Sequence, residues 1–271
     1  VIVSIDGAIV PPEQAAISVF DRGLLYGDGL FEVVRTLRGR PVWLDDHLAR
    51  LCGSARELQL AVPRDLAPWV RTAIAAAGPG DHRVRVVVTR GQGPIGARLA
   101  TLGPGRTIVI VEPLPAQPRE LSLAIIDWRL PRRAGPAHKT LAYLDHALAR
   151  ELAAAAGADE AVRLDADGNA AECATANLFA VLAGAVVTPP VVGILPGVTR
   201  ARVLALAAQL AIPAHERAIA VPELRGADEI FATSTLRGVT AVTRLDGVAL
   251  SAGPITRRLT EAYSHSMQAE I

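Results

Sequence analysis

The sequence predicts an α+β fold, and three observations lead there. Strand-like and helix-like stretches are mixed along the chain without the regular alternation that a βαβ architecture requires. With 271 residues, 51% of them hydrophobic, the chain can bury a large core and slightly exceeds the size at which single cores tend to split. Pro113 to Pro118 holds three prolines in six residues, the best linker signal present. The expected organisation is an N-terminal domain over 1–112, a linker over 113–120 and a C-terminal domain over 121–271.

The N-terminal part reads as strands and hairpins. Val1 to Ile5 alternates, Asp6-Gly7 is a hairpin turn, and Ala8 to Val10 returns. Phe31 to Leu37 is a strand, Arg38-Gly39 a turn, and Pro41 to Leu44 its partner. Asp45 or Asp46 is expected to cap a helix running to Leu58, with Leu48, Leu51, Ala55 and Leu58 on one face. A second helix over Leu66 to Ala77 ends at Gly78-Pro79-Gly80. Strands come next at Val84 to Thr89 and Thr107 to Glu112. Beyond the linker the reading gives a strand at Leu121 to Ile126, a loop to His138, and a helix from Leu141 to Ala155. Strands then come at Glu160 to Leu164 and Leu178 to Val181, a helix from Thr199 to Leu210, strands near Ile230 and Val239, and a last helix over Ile255 to Ser266.

Composition excludes several classes. A net charge of +1 gives no broad electrostatic footprint for nucleic acid or an acidic membrane, and 4% aromatics are too few for a single-strand stacking platform. Asn177 to Val198 carries no charge and is long enough to span a bilayer, but Pro189, Pro190, Pro196 and three glycines break any continuous helix there. Nothing resembling a secretory leader opens the chain, because charge arrives at Asp6 and prolines at Pro11 and Pro12. Cys52 and Cys173 make neither a disulfide framework nor a zinc ribbon, so reduced thiols in a cytoplasmic protein are expected. No metal-ligand spacing and no G-x-S-x-G elbow occurs. Gly91 to Gly96 matches G-x-G-x-x-G, but Gly103-Pro104-Gly105 leaves no room for the long helix a dinucleotide site needs, so a plain loop is expected.

The lysine count is the most informative number. Among 28 lysines and arginines, Lys139 is the only lysine. Arginine replaces lysine on a solvated surface but not where a neutral amine must attack a carbonyl, because guanidinium keeps its proton. Lys139 is therefore a candidate nucleophile, the alternative being a leftover surface residue. Leu195 to Arg200 ends a loop and opens a helix, a place that suits a phosphate group or, equally, an ordinary helix capped by Thr199. Thr233-Ser234-Thr235 clusters hydroxyls at a strand end, and Arg50 sits mid-helix where it could clamp a phosphate or stay solvated. Glu172, set between apolar strands, needs a cationic partner if it is buried. Together these residues offer what pyridoxal 5′-phosphate (PLP) needs: an amine for its aldehyde, a carboxylate for its ring nitrogen and a cradle for its phosphate.

The chain resembles the class IV, or fold type IV, PLP enzymes, which include branched-chain and D-amino acid aminotransferases and 4-amino-4-deoxychorismate lyase. The markers are DRGLLYGDGLFEVVR (21–35), HLARL (47–51), HKTLAYL (138–144), AECATANLF (171–179), LPGVTR (195–200) and TSTLRGV (233–239). The resemblance implies a D-amino acid aminotransferase-like fold with a small N-terminal domain, a larger C-terminal domain carrying the lysine, and a homodimer. It implies Lys139 as the Schiff-base lysine, Glu172 as the partner of the pyridine nitrogen, and Arg50, Val198, Thr199, Thr235 and the Leu236 amide as phosphate contacts. It also places Tyr26, Phe31, Arg85 and Arg237 on the substrate side, where a structural ion pair is the alternative for either arginine. Relatives of this type carry Asn where this chain has Ala142, and the paired Arg and His of a strict D-amino acid carboxylate trap are missing from Val84 to Val88. The implied activity is amino transfer between a small amino acid and a 2-oxo acid. The alternative is the lyase reaction releasing 4-aminobenzoate and pyruvate, and a third reading is a non-catalytic PLP-binding dimer.

Overall fold

The computed structural model describes residues 1–96, 98 and 105–271. Contacts divide the chain into two compact units. The first holds Val1–Ala116 together with His138–Tyr143 and the two C-terminal residues. Its strands are β1 (Ile2–Ile5), β2 (Ala8–Val10), β3 (Gly29–Leu37), β4 (Arg40–Pro41), β5 (His82–Thr89) and β6 (Thr107–Pro113), and its helices are α1 (Arg22–Tyr26), α2 (Leu44–Glu57) and α3 (Leu66–Ala77). The strands form one antiparallel sheet in the order β2-β1-β6-β5-β3-β4. Alternate residues Leu30, Val34, Val84, Val86, Val88, Val109 and Val111 share the core with Leu48, Leu51 and Ala55 of α2 and Val70, Ala73 and Ile74 of α3. Period-two and helical apolar patterns thus meet in one layer of helices on one sheet.

Two local expectations fail here. The expected caps Asp45 and Asp46 lie inside the first turn of α2, where they complement its dipole. The cap residue is Trp43, in the left-handed region at φ 49° with no side-chain cap bond. The partner strand expected over Pro41 to Leu44 shrinks to Arg40–Pro41, because α2 already begins at Leu44.

The expected helix start at Leu141 is also displaced. Residues 138–143 run extended along the edge of β3 and belong by their contacts to the first unit, although the sequence reading placed Lys139 in the C-terminal domain. The Phe31 N–H donates to the Lys139 carbonyl at 2.9 Å, and the Leu141 N–H donates to the Gly29 carbonyl at 3.0 Å. β4 pairs only with the far end of β3, at Thr36 and Leu37, which leaves the edge near Gly29 open to this segment. Glycine is what admits it: a Cβ on Gly29 would sit 2.6 Å from the Val88 carbonyl oxygen and 2.7 Å from Leu141.

The second unit comprises Gln117–Ala137 and Leu144–Ala269. Its strands are β7 (Glu120–Arg129), β8 (Glu160–Leu164), β9 (Ala170–Cys173), β10 (Asn177–Leu182), β11 (Ala185–Thr188), β12 (Ala214–Glu216), β13 (Glu229–Ser234), β14 (Gly238–Leu245) and β15 (Val248–Ala249). Its helices are α4 (Leu144–Ala155), α5 (Val198–Gln209), α6 (Val221–Arg225) and α7 (Pro254–Ala269). The strand order is β12-β11-β10-β13-β14-β7-β8-β9, with β15 beside β14. β9 also meets β10 through Glu172 and Asn177, so six of these strands close into a ring. Leu121, Leu123, Val162, Leu178, Ile230 and Val242 fill its core. The uncharged stretch from Asn177 forms β10, β11 and a loop, and no helix among the described residues is long and apolar enough to cross a membrane.

Candidate active site

In the first unit, three residues gather on one aromatic ring. Phe31 of β3 carries the Arg85 guanidinium carbon 4.1 Å from its ring centroid and the Lys139 Nζ at 4.5 Å. The Tyr143 ring meets Phe31 edge-on, with centroids 5.5 Å apart. The strands explain the meeting: Phe31 pairs with Val87, so Arg85, two residues along β5, projects from the same face. Lys139 arrives there on the backbone bonds of its segment to β3. Cation–π attraction to one ring holds two cations close. Burial lowers the affinity of Arg85 for its proton, yet a guanidinium remains protonated. The Glu112 carboxylate acts on Arg85 through its charge, without a close ion pair among the described residues. Tyr143 was not singled out from the sequence, although its place four residues after Lys139 was visible. Tyr26 stands apart: it is exposed, and its ring contact is with Arg22.

Arg50, on α2, is gripped by Glu32. Arg50 Nε donates to Glu32 Oε1 at 2.7 Å and Nη2 donates to Oε2 at 2.8 Å. His47 Nδ1 lies 3.0 Å from Glu32 Oε2. Glu32 points from β3 into the helix-covered face and is 1% exposed. Burial alone would raise its pKa, but the Arg50 charge and the bonds from His47 and Arg50 prevail and hold it at about 2. Sequence reasoning missed Glu32 and His47, because a carboxylate alternating with buried apolar residues reads as an outward position until its partners are known.

In the second unit, Glu172 lies on β9, buried, directly across from buried Arg163 on β8 and from Asn177 on β10. Glu172 Oε2 accepts the Leu195 N–H at 3.1 Å, and Asn177 Nδ2 donates to the Leu195 carbonyl at 2.9 Å. These bonds draw Leu195 to Gly197 across the strand ends, where a Cβ on Gly197 would collide with Asn177 Oδ1. Gly197, not Thr199, is the cap residue of α5, and it brings no side-chain cap. Thr199 is buried in the first turn with its hydroxyl 3.4 Å from that of Tyr263. Val198 is buried beside it. Thr233 lies opposite Asn177, and its buried Oγ1 has no hydrogen-bond partner. Thr235 and Leu236 occupy the half-buried turn between β13 and β14.

Arg237 in the same turn takes the structural role. Its Nη2 donates to Glu160 Oε2 at 3.2 Å and to Thr175 Oγ1 at 2.9 Å, and Thr175 also bonds Glu160. Burial, and then the charge of Glu160, push the Cys173 thiol well above its ordinary range, which removes it as a nucleophile. Both cysteines are free thiols. Among the described residues no cluster could hold a metal ion. The Gly91 to Gly96 stretch is a loop whose Gln92 bridges Asp21, and residues 97 and 99–104 lie outside the described residues.

Residues 29–245 match the family described as amino-transferase class IV. The chain belongs to that family. This class IV aminotransferase is 30% identical over 98% of its length to 96% of the D-alanine aminotransferase of Bacillus licheniformis. It superposes on the branched-chain aminotransferase of Thermoproteus uzoniensis with a TM-score of 0.91 and 32% identity, covering 99% of this chain and 95% of that one. It is also similar to the 4-amino-4-deoxychorismate lyase of Pseudomonas aeruginosa, with a TM-score of 0.86 and 33% identity over 96% of this chain and 97% of that one. The expected α+β fold and family are both met.

Proposed function

We propose that this class IV aminotransferase uses PLP to move an amino group between a small amino acid and a 2-oxo acid. The observation that carries the reading is the chain's single lysine, seated on the Phe31 ring beside the half-buried Arg85 guanidinium. The second unit fits the cofactor on its own terms: an uncapped helix start and the orphaned Thr233 hydroxyl suit an anionic oxygen. When bound, PLP supplies an aldehyde that captures amines and an electron-poor ring that acidifies the substrate α-hydrogen. Lys139 anchors the cofactor and takes the α-proton. Glu172 holds the proton on the ring nitrogen. Arg50, Thr199, Thr235 and the amides of Val198 and Leu236 bind the phosphate, fixing orientation away from the reacting bond.

Arg85, not Arg237, receives a substrate carboxylate, because Glu160 already compensates Arg237. Phe31 forms the wall against which the substrate lies, and Tyr26 lies further out. An Arg85→Gln variant is expected to raise KM on the order of 10-fold to 100-fold with a smaller change in kcat, as loss of a charged hydrogen bond shared by ground and transition states does. A KM unchanged within twofold removes Arg85 from the site.

The protein is further read as a cytoplasmic homodimer. Leu144, Leu148 and Leu152 recur every four residues along α4 and are 70%, 39% and 45% exposed, a stripe that a second copy would cover. Sedimentation of the purified chain at monomer mass overturns that reading. The catalytic reading is tested by mixing holoenzyme with a panel of L- and D-amino acids and monitoring the cofactor absorbance. Loss of the resting band with one stereochemical series, restored by a 2-oxo acid, supports amino transfer. No change with any amino acid, alongside release of 4-aminobenzoate and pyruvate from aminodeoxychorismate, replaces it with the lyase reaction.

A further inference from the structure

We propose that Glu32 is a positioning residue: the buried Glu32–His47 pair fixes the plane of the Arg50 guanidinium and so sets its grip on the cofactor phosphate. This rests on the assignment of Arg50 to the phosphate. The geometry is specific. Glu32 meets Arg50 through both carboxylate oxygens, at 2.7 and 2.8 Å, a two-point contact that allows the guanidinium one plane. His47 and Arg50 stand three residues apart on α2 and therefore on one face, so a single carboxylate from β3 reaches both. His47 is 1% exposed, and its Nδ1 on Glu32 Oε2 holds the carboxylate from the other side. A buried carboxylate in an apolar layer is costly, and an Arg50 needed only for charge would not require one. The carboxylate is useful if the direction of the guanidinium matters more than its net charge.

Glu32 has two opposed effects on a phosphate. Its charge repels the anion at a distance, and its clamp orients the cation in contact. A variant that keeps the charge and shortens the reach separates them. Glu32→Asp retains the carboxylate but withdraws it by one methylene. Purified full-length protein is titrated with PLP and with pyridoxal, which lacks the phosphate. The preference for PLP is the readout, since general damage to the fold weakens both ligands alike. Glu32→Asp is expected to lose about tenfold in that preference. Should it fail to fold, Glu32→Gln, which keeps the reach but offers one strong acceptor in place of two, is expected to lose at least about threefold. A preference within twofold of wild type in Glu32→Asp overturns the proposal. So does a preference strengthened in Glu32→Gln, which would make charge repulsion the residue's only effect. Arg50→Gln in the same titration separates this from the parent reading. If it keeps the wild-type preference, Arg50 does not bind the phosphate and both ideas fall. If Arg50→Gln loses the preference and the Glu32 variants do not, only the positioning role falls.

Discussion

Lys139→Ala is expected to lower turnover by at least about 10⁴-fold while leaving the melting temperature close to that of the wild type. Under the proposed function the size reflects the loss of two roles at once, covalent anchoring and general-base catalysis, the second alone contributing on the order of 10²–10⁴. The fold should survive because the segment is held by backbone bonds to β3 that the side chain does not make. Lys139→Arg should fail equally, since a guanidinium holds its proton at any working pH. Steady-state kinetics with the best donor from the amino acid panel, beside a thermal melt, checks both statements. Activity within about tenfold of wild type in either variant would remove Lys139 from the chemistry.

Glu172→Gln should show the next largest loss, on the order of 10²–10³ in kcat, the usual cost of deleting one preorganised charge from a reacting centre. The amide keeps an oxygen for the Leu195 N–H, so the loop leading to α5 should hold. Under the proposed function, what it loses is the negative charge that keeps the ring nitrogen protonated. The loss should therefore fall on kcat, with little change in affinity for inorganic phosphate or PLP. A variant impaired in PLP binding but with normal kcat at saturation would show that Glu172 serves the loop only. Arg163 and Asn177 flank Glu172 across the two neighbouring strands, so the melting temperature must be read with the kinetics.

Much of the fold was legible because local patterns agree with the tertiary arrangement. The helix Leu66–Ala77 and the strand Glu160–Leu164 match their expected bounds, each being apolar with clear end signals. The strand Ala170–Cys173 was not legible: Ala-Ala-Glu-Cys has little intrinsic strand preference, and its pairing with β8 and β10 creates it. Helix α1 contains Gly23 and spans five residues, held by the Asp21 side chain at its start and left-handed Gly27 at its end. A period-based reading passes over so short a turn. The displaced start of α4 has the same origin. His138 to Tyr143 has helix-compatible residues, but bonding to Gly29 and Phe31 on β3 outweighs propensity.

The site was legible by residue type rather than by arrangement. A lone lysine among arginines is a chemical statement that composition can make. The partners that orient Lys139 and Arg50 are tertiary facts. Glu32 and Leu30, Val34 and Val84 share one face of a sheet, and only the structure shows two helix residues converging there on the carboxylate. Arg85 and Arg237 were indistinguishable in sequence, since each sits beside β-branched or loop residues in a plausible block. Glu160 separates them, by binding one and not the other.

The most direct test reduces the holoenzyme with borohydride and maps the modified peptide by mass spectrometry. The account predicts a phosphopyridoxyl adduct on Lys139, the only lysine available. No adduct, or one found on the chain's terminal amine with Lys139 unmodified, would contradict it.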